Sequence, residues 1–385
     1  MAVTRAYLDY NASAPLLAAA RAAVVDALDI AANPSSVHTE GRAARRVIEE
    51  ARRSVAALVG ARPEHVVFTS GATEAASTLL TPDWKMGRGA ARMSRLSEAD
   101  HPCILGGGRF PPALVSRIGV DGAGIVDVEA LAGALAAHDK TEGLPLVAIH
   151  GANNETGVIQ PIGRIAGIVK QAGGVLVVDA VQAAGRIPID ISAGYADYLI
   201  LSSHKIGGPK GVGAIVAGAD LMMPSPLMNG GGQEKGHRGG TENLAGIAGF
   251  GAAARAALSG LATIDQVLGH RDEIEAIVRA LVPDAEFFGT GAPRLANTTF
   301  FAIPGAKAET VQIAFDLAGV ALSAGSACSS GKVGPSHVLK AMGHGEGNGA
   351  LRVSIGAATG ASDIEAFRAA LTGIAMRRAG KERAA

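Results

Sequence analysis

The sequence predicts an α/β fold, with a large unit built on a mainly parallel sheet and a smaller C-terminal α/β unit. Three observations predict it. Short apolar runs that read as buried strands alternate with segments of helical periodicity. After about Thr241 the texture changes and long helical stretches take over. The chain, at 385 residues, is too long for one compact core and comfortable for two.

Each element follows from its local pattern. Residues 43–59 repeat apolar side chains at helical spacing, and Gly60 follows as a stop. The run HVVFT (65–69) reads as a buried strand, broken by Ser70-Gly71 before a helical stretch that begins at Ala72. LVAIH (146–150), VLVVDAV (175–181) and YLILS (198–202) read as further strands, with a helix-compatible segment (162–173) between the first two. Beyond Thr241 a helical region runs to about Val282, followed by a strand-like stretch (295–303) and a helix (308–319). A glycine- and serine-rich loop (323–335), the strand LRVSI (351–355) and a last helix (361–378) complete the chain. The expected division gives 16–250 to the large unit, and 1–15 with 251–385 to the small unit that carries the 323–335 loop. There is no internal repeat.

Composition narrows the function classes. Lys+Arg and Asp+Glu are both 35, and this balance gives no reason to expect a nucleic-acid or membrane-surface binder. With only Cys103 and Cys328, a disulfide scaffold is excluded and the pattern suits a reducing compartment. The N-terminal segment lacks the apolar core of a signal peptide, and no run approaches the roughly 20 apolar residues of a membrane span. The expectation is a soluble cytoplasmic protein with small-molecule or protein partners and no metal.

Three features point to chemistry. Lys205 ends SSHK (202–205) after a buried strand and before Gly-Gly-Pro, an odd place for a solvated charge and a suitable one for a Schiff-base lysine. Asp179 closes the strand VLVVD, with Gln182 three residues on. Strand ends of an open parallel sheet face the ligand crevice, and a carboxylate there pairs well with a pyridinium nitrogen, although a helix cap is an equal reading of Asp179 alone. Ser70-Gly71-Ala72-Thr73 sits between strand and helix, where free N–H groups and the dipole suit a phosphate; taken alone it is also ordinary turn chemistry. The segment GSACSSGKV (325–333) lacks the spacing of a Walker loop and has no Ser or Thr after Lys332.

Together with these, YLDYNASAP (7–15), NPSSVH (33–38), FTSGATE (68–74), EADHPCIL (98–105), NNETG (153–157), VDAVQ (178–182), SSHKIGGPKG (202–211), GGGQEKGHRGGTEN (230–243), SAGSACSS (323–330) and LRVSIG (351–356) occur in one order along the chain. In these motifs the chain resembles the cysteine desulfurases of the NifS/IscS type, in the class V aminotransferase group of fold-type I pyridoxal-phosphate enzymes.

The resemblance implies a large cofactor-binding unit with a seven-stranded sheet. It also implies conversion of L-cysteine to L-alanine, with sulfur passed to Cys328 as a persulfide and on to an acceptor or scaffold protein for iron–sulfur assembly or thiolation. Lys205 matches the lysine that holds pyridoxal 5'-phosphate, and His101 the histidine stacked on its ring, an acid–base candidate. Asp179 matches the partner of the ring nitrogen and Gln182 the donor to the phenolic oxygen. Ala72, Thr73, Ser202 and His204 match the phosphate cradle. Thr241 matches a threonine that reaches the neighbouring subunit's phosphate, which implies a homodimer. Asn154, beside the cofactor, and Arg352 match the holders of the substrate carboxylate, a task suited to a planar guanidinium. Cys328 matches the persulfide-forming nucleophile, and its small polar neighbours suit a residue that must travel.

Selenocysteine lyase and aminotransferase are the competing activities on such a scaffold, and neither needs a cysteine on this loop. A non-enzymatic scaffold that had lost the cofactor would be expected to lose Lys205 or Asp179, and both are present. Ser203 stands where many relatives carry glycine, and residues 81–97, around the lone Trp84, and 344–350 depart from the usual pattern. Cys103 beside Pro102 reads as a packed structural thiol. Lys235 and Lys332 read as solvated, the triple glycines at 106–108 and 230–232 as turns, and His38 as either a local hydrogen-bonding group or an edge of the site.

Overall fold

The computed structural model describes residues 5–84, 91–139, 141, 143–220, 222–325, 336–345, 347 and 349–382. From the N-terminus, β1 (Ala6–Tyr7), α1 (Ala18–Leu28) and α2 (Thr39–Leu58) precede β2 (Val66–Thr69) and α3 (Ala72–Leu79). Next come β3 (Ala91–Ser97), α4 (Pro102–Leu105), β4 (Val115–Ile118), α5 (Val128–Ala136), β5 (Leu144–His150) and α6 (Ile162–Gln171). β6 (Val175–Asp179), β7 (Tyr198–Ser202) and β8 (Gly213–Ala217) lead into α7 (Leu244–Gly260) and α8 (Ile264–Leu281). The C-terminal part adds β9 (Glu286–Phe287), β10 (Thr298–Ala302), α9 (Ala308–Leu317), β11 (Val320–Ala321), β12 (Ser323–Ala324), α10 (His337–Ala341), β13 (Leu351–Ser354) and α11 (Ala361–Glu382).

Seven strands form the large sheet in the order β2-β8-β7-β6-β5-β3-β4. The run from β7 to β4 is parallel, and β8 lies antiparallel to both β7 and β2. Every residue of β6, β7 and β8 is buried, which is why β6 and β7 read as mainly apolar runs. One face packs Ile48, Leu131, Ile165 and Phe250 from α2, α5, α6 and α7. The other packs Ala75 and Leu79 of α3 together with Trp84 and Phe110. Trp84 is buried against Tyr198 and donates its indole N–H to the Leu79 carbonyl at 3.0 Å.

A second sheet has four strands in the order β12-β13-β10-β9, all antiparallel, while β1 pairs in parallel with β11. Its core draws on Ala6 and Leu8 from the N-terminus, on α8, α9 and α11, and on a stacked Phe315–Phe367 pair 5.2 Å apart. The N-terminal segment thus joins this core rather than the first.

Two expectations need correction. Leu244–Leu281 is, by length and composition, apolar enough to cross a membrane, contrary to the expectation that no run approaches that. In this fold its first half is core: Phe250, Ala253 and Ala254 of α7 are fully buried against protein. The loop expected over 323–335 begins with a strand, because Ser323 and Ala324 pair with Arg352 and Leu351; residues 326–335 lie outside the described residues.

Candidate active site

The carboxyl ends of β5, β6 and β7 open on one side of the large sheet, as they must in a parallel sheet. β7 is buried to Ser202 and then tightens into a single 3-10 turn, Ser203–Lys205. That turn carries Lys205 into a cleft of about 500 Å³. Its Nζ donates to the carbonyls of Asn11 at 2.6 Å and Ala12 at 3.0 Å, so the ammonium is held by backbone from the N-terminal segment.

Asp179, at the end of β6, lines the same cleft. Burial pushes its carboxyl up to about 6; Asp100 adds to the rise, while the Val181 N–H, donating at 3.0 Å, His150 and Lys205 work against it. Gln182 is buried and donates through Nε2 to the Asn11 carbonyl at 3.0 Å, while its Oε1 accepts from Arg186. The guanidinium of Arg186 thereby fixes which way that amide points.

At the other end of the cleft, Gly71 caps α3 without a side-chain cap, so the N–H groups of the first turn, at Ala72 and Thr73, have no partner inside the helix. The adjacent Glu74 carboxylate accepts the Ser70 N–H at 2.7 Å and is paired with Arg238 at 3.1 Å, which fixes the turn. Ser202 and His204 face the same space. Burial, with Lys205 and Lys210, holds the His204 imidazole down to about 4.

His101 caps α4 and lines the cleft wall. Its Nδ1 accepts the Cys103 N–H at 3.2 Å and lies 3.1 Å from the Cys103 sulfur. A backbone N–H can only donate, so the neutral ring carries its proton on Nε2. Burial first, then Lys205 and His337, lowers its pKa to about 4, and the ring is neutral at physiological pH. Cys103 packs against the core of Ala75, Leu79 and Trp84, as a packed thiol should, and it also reaches the cleft. It is only half-buried and it stands against His101.

Asn154 also lines the cleft, but Arg352 does not: it is buried beneath, 1% exposed. Arg352 Nη1 donates to the Asn154 carbonyl at 2.9 Å, and Nη2 to Asp9 Oδ1 at 2.8 Å and Ser323 Oγ at 3.1 Å. Its Nε is buried with no hydrogen-bond partner among the described residues. Thr241 is exposed and lines a different cleft, which borders the first through Ser70 and Gly211. Cys328 lies outside the described residues. His38 proves to be local: it caps α2 by accepting the Gly41 N–H at 3.3 Å. Lys235, exposed, donates to the Glu64 carbonyl at 3.1 Å.

The cleft therefore brings together Ala72, Thr73, His101, Asn154, Asp179, Gln182, Ser202, His204 and Lys205. This donor set fits pyridoxal phosphate: an anion cradle at one end, a buried carboxylate at the other, and an amine between. Ser203 does not line this cleft: its hydroxyl is buried and without a partner among the described residues. Sequence reasoning missed Asp9, Asn11 and Arg186. The first two belong to the YLDYNASAP motif (7–15), which was the available signal, although nothing in it says which side chain they would meet.

The aminotransferase class-V family model matches residues 6–367. A relative from Cereibacter sphaeroides named cysteine desulfurase is 39% identical, covering 94% of this chain and 93% of its own. The X-ray structure of a NifS-like protein from Rickettsia africae superposes with a TM-score of 0.86 at 32% identity, covering 96% of this chain and 99% of that one. A structure described as SspA in complex with cysteine gives a TM-score of 0.74 at 28% identity, covering 91% and 98%.

Proposed function

The chain belongs to the aminotransferase class-V family, among relatives named cysteine desulfurase, and from that premise we propose how its cleft works. The activity is desulfuration of L-cysteine to L-alanine. The observation that carries this reading is the convergence of the Lys205 ammonium, the buried Asp179 carboxylate and the open N-terminus of α3 on one cleft.

Lys205, whose Nζ now rests on the Asn11 and Ala12 carbonyls, would hold pyridoxal phosphate. Ala72, Thr73, Ser202 and His204 take the phosphate. Asp179 would pair with the ring nitrogen, a partner that would offset the solvation its carboxylate lost on burial. Gln182, oriented by Arg186, offers an amide N–H to the phenolic oxygen. His101 is neutral, with Nδ1 occupied, and presents Nε2–H to the ring side of the cleft. Bound there, the cofactor supplies an electron-withdrawing ring that stabilises negative charge at the substrate Cα. Asn154 meets the substrate carboxylate from the cleft wall, and Arg352, buried beneath it, reaches that carboxylate by exchanging Asp9 and Ser323 for it. The Cys328 thiolate attacks the substrate sulfur: an S–S bond forms as the C–S bond breaks. The substrate skeleton takes up the electron pair and then protons, leaving as L-alanine and a Cys328 persulfide.

We also propose a homodimer, supported by the exposure of Leu28 at 69% and Val37 at 87% and by the placement of Thr241 outside its own chain's cofactor cleft. The division into 16–250 and 1–15 with 251–385 draws support from the two separate apolar cores. A sulfur acceptor in the cytoplasm completes the reading. Its test is the product ratio: purified protein given pyridoxal phosphate, L-cysteine and a thiol should form alanine and sulfide one to one. Formation of a keto acid with the pyridoxamine form of the cofactor would make it an aminotransferase instead.

A further inference from the structure

One buried polar chain plays no part in the chemistry above. His150 ends β5, where Leu146 to Ile149 are fully buried and apolar, so an imidazole there is costly unless both nitrogens find partners. Both do. Nδ1 lies 2.6 Å from Asp100 Oδ1, and Nε2 lies 3.0 Å from Gln160 Nε2.

The orientation of the Gln160 amide is set independently. Its Oε1 accepts the Val126 N–H at 2.9 Å, and its Nε2 donates to the Gly124 carbonyl at 2.8 Å. An amide NH2 only donates, so His150 Nε2 accepts, and the ring is neutral with its proton on Nδ1 facing Asp100. With both nitrogens occupied, His150 has no proton to exchange with a ligand, although it borders the cleft.

Asp100 is enclosed in turn. Its Oδ1 also accepts the His150 N–H at 2.9 Å, its Oδ2 accepts the Ser97 N–H at 2.8 Å, and its carbonyl accepts from His337 Nε2 at 2.9 Å. The next residue is His101. On the other side, His150 pairs with Asp179 across β5 and β6, and the Gly151 N–H donates to the Asp179 carbonyl at 2.8 Å.

We propose that His150 is a positioning residue: the Gln160–His150–Asp100 chain fixes the backbone that presents His101 at a set distance from the strand end carrying Asp179. The inference rests on reading the cleft as a pyridoxal-phosphate site. A histidine suits the task because one rigid ring spans two fixed partners, where an aliphatic side chain would leave Asp100 a buried carboxylate short of a donor.

The test uses holoenzyme and reads the visible circular dichroism per bound cofactor, which reports how the ring is held, and the rate of cofactor loss on dilution. In His150→Leu the far-ultraviolet spectrum should stay unchanged, while the visible dichroism falls and cofactor loss quickens by about tenfold, the effect of one charge-assisted hydrogen bond. His150→Asn, whose Nδ2 can stand where Nδ1 stood, should recover most of both. If His150→Leu does not fold, Gln160→Leu loosens the same chain from its far end and should shift the visible dichroism in the same direction. Wild-type dichroism and retention in His150→Leu, or failing that in Gln160→Leu, overturn the proposal even if melting temperature falls. So does a His150→Asn variant no better than His150→Leu. A wild-type protein that takes up no pyridoxal phosphate overturns the reading of the cleft and the proposal together.

Discussion

Arg352 Nη2 lies 2.8 Å from Asp9 Oδ1, so the guanidinium assigned to the substrate carboxylate already holds a carboxylate of its own chain. Asp9 balances a cation that is 1% exposed, and Ser323 Oγ links the two by hydrogen bonds to Asp9 Oδ2 at 2.9 Å and from Arg352 at 3.1 Å. Ser323 opens the segment that leads to Cys328, so the proposed substrate clamp and the base of that segment share one hydrogen-bond cluster. Arg352→Lys keeps the charge but loses the fork that spans Asn154 and Asp9. It should raise KM for cysteine by about tenfold or more and leave cofactor retention near wild type. Steady-state kinetics beside the cofactor absorbance decide this, and an unchanged KM would place the carboxylate elsewhere.

Asp179 gives a pH-dependent stability signature in the apoprotein. Its folded-state pKa, about 6, lies above the ordinary carboxylate value. The folded apoprotein therefore takes up a proton as the pH falls from about 6 to about 4. That stabilisation is complete at the acid end and lost as the pH rises through about 6. Asp179→Asn removes the penalty, so the apo variant should be the more stable by about 2–3 kcal/mol at pH 8, with the gap shrinking below pH 6. Urea unfolding at several pH values measures it; a gap independent of pH would contradict it. The same variant should bind pyridoxal phosphate poorly.

Ser203 offers a test of packing. Its hydroxyl is buried without a partner among the described residues, and a Cβ on Gly208 would lie only 2.1 Å from it. The hydroxyl thus occupies the space above Gly208 and forms no hydrogen bond there. Ser203→Ala should raise stability by about 1 kcal/mol, the order of the desolvation penalty relieved. A lower melting temperature would mean the hydroxyl does find a partner.

How much of this was legible in the sequence depends on where each residue finds its partners. The strands β6 and β7 were legible because both faces are covered and their side chains are almost all apolar. β3 was not, since Arg95 breaks the pattern, and it is buried only because Ala134 and Ser116 take its guanidinium at 2.8 and 3.2 Å. Lys205 and Asp179 stood out as charges at the ends of buried strands. Asp9 could not be placed on local grounds, because its partner is 343 residues away in the chain. Likewise His150 looked like one more strand residue until Asp100 and Gln160 closed around it.

Subunit exchange tests the shared site. Lys205→Ala and Thr241→Val should each be inactive as homodimers. Mixed as heterodimers, they should regain activity at the one site that combines an intact Lys205 with an intact Thr241. Absence of recovery after verified exchange would show that Thr241 serves its own chain.

The most direct measurement is mass spectrometry of the Cys328 peptide after a single turnover of L-cysteine without reductant, followed by alkylation. One additional sulfur should appear on that peptide in the wild type. In Cys328→Ser the bound cofactor's colour should persist and alanine formation should nearly vanish. Alanine formed by Cys328→Ser at the wild-type rate, with no sulfur added to the wild-type peptide, would contradict sulfur transfer through Cys328.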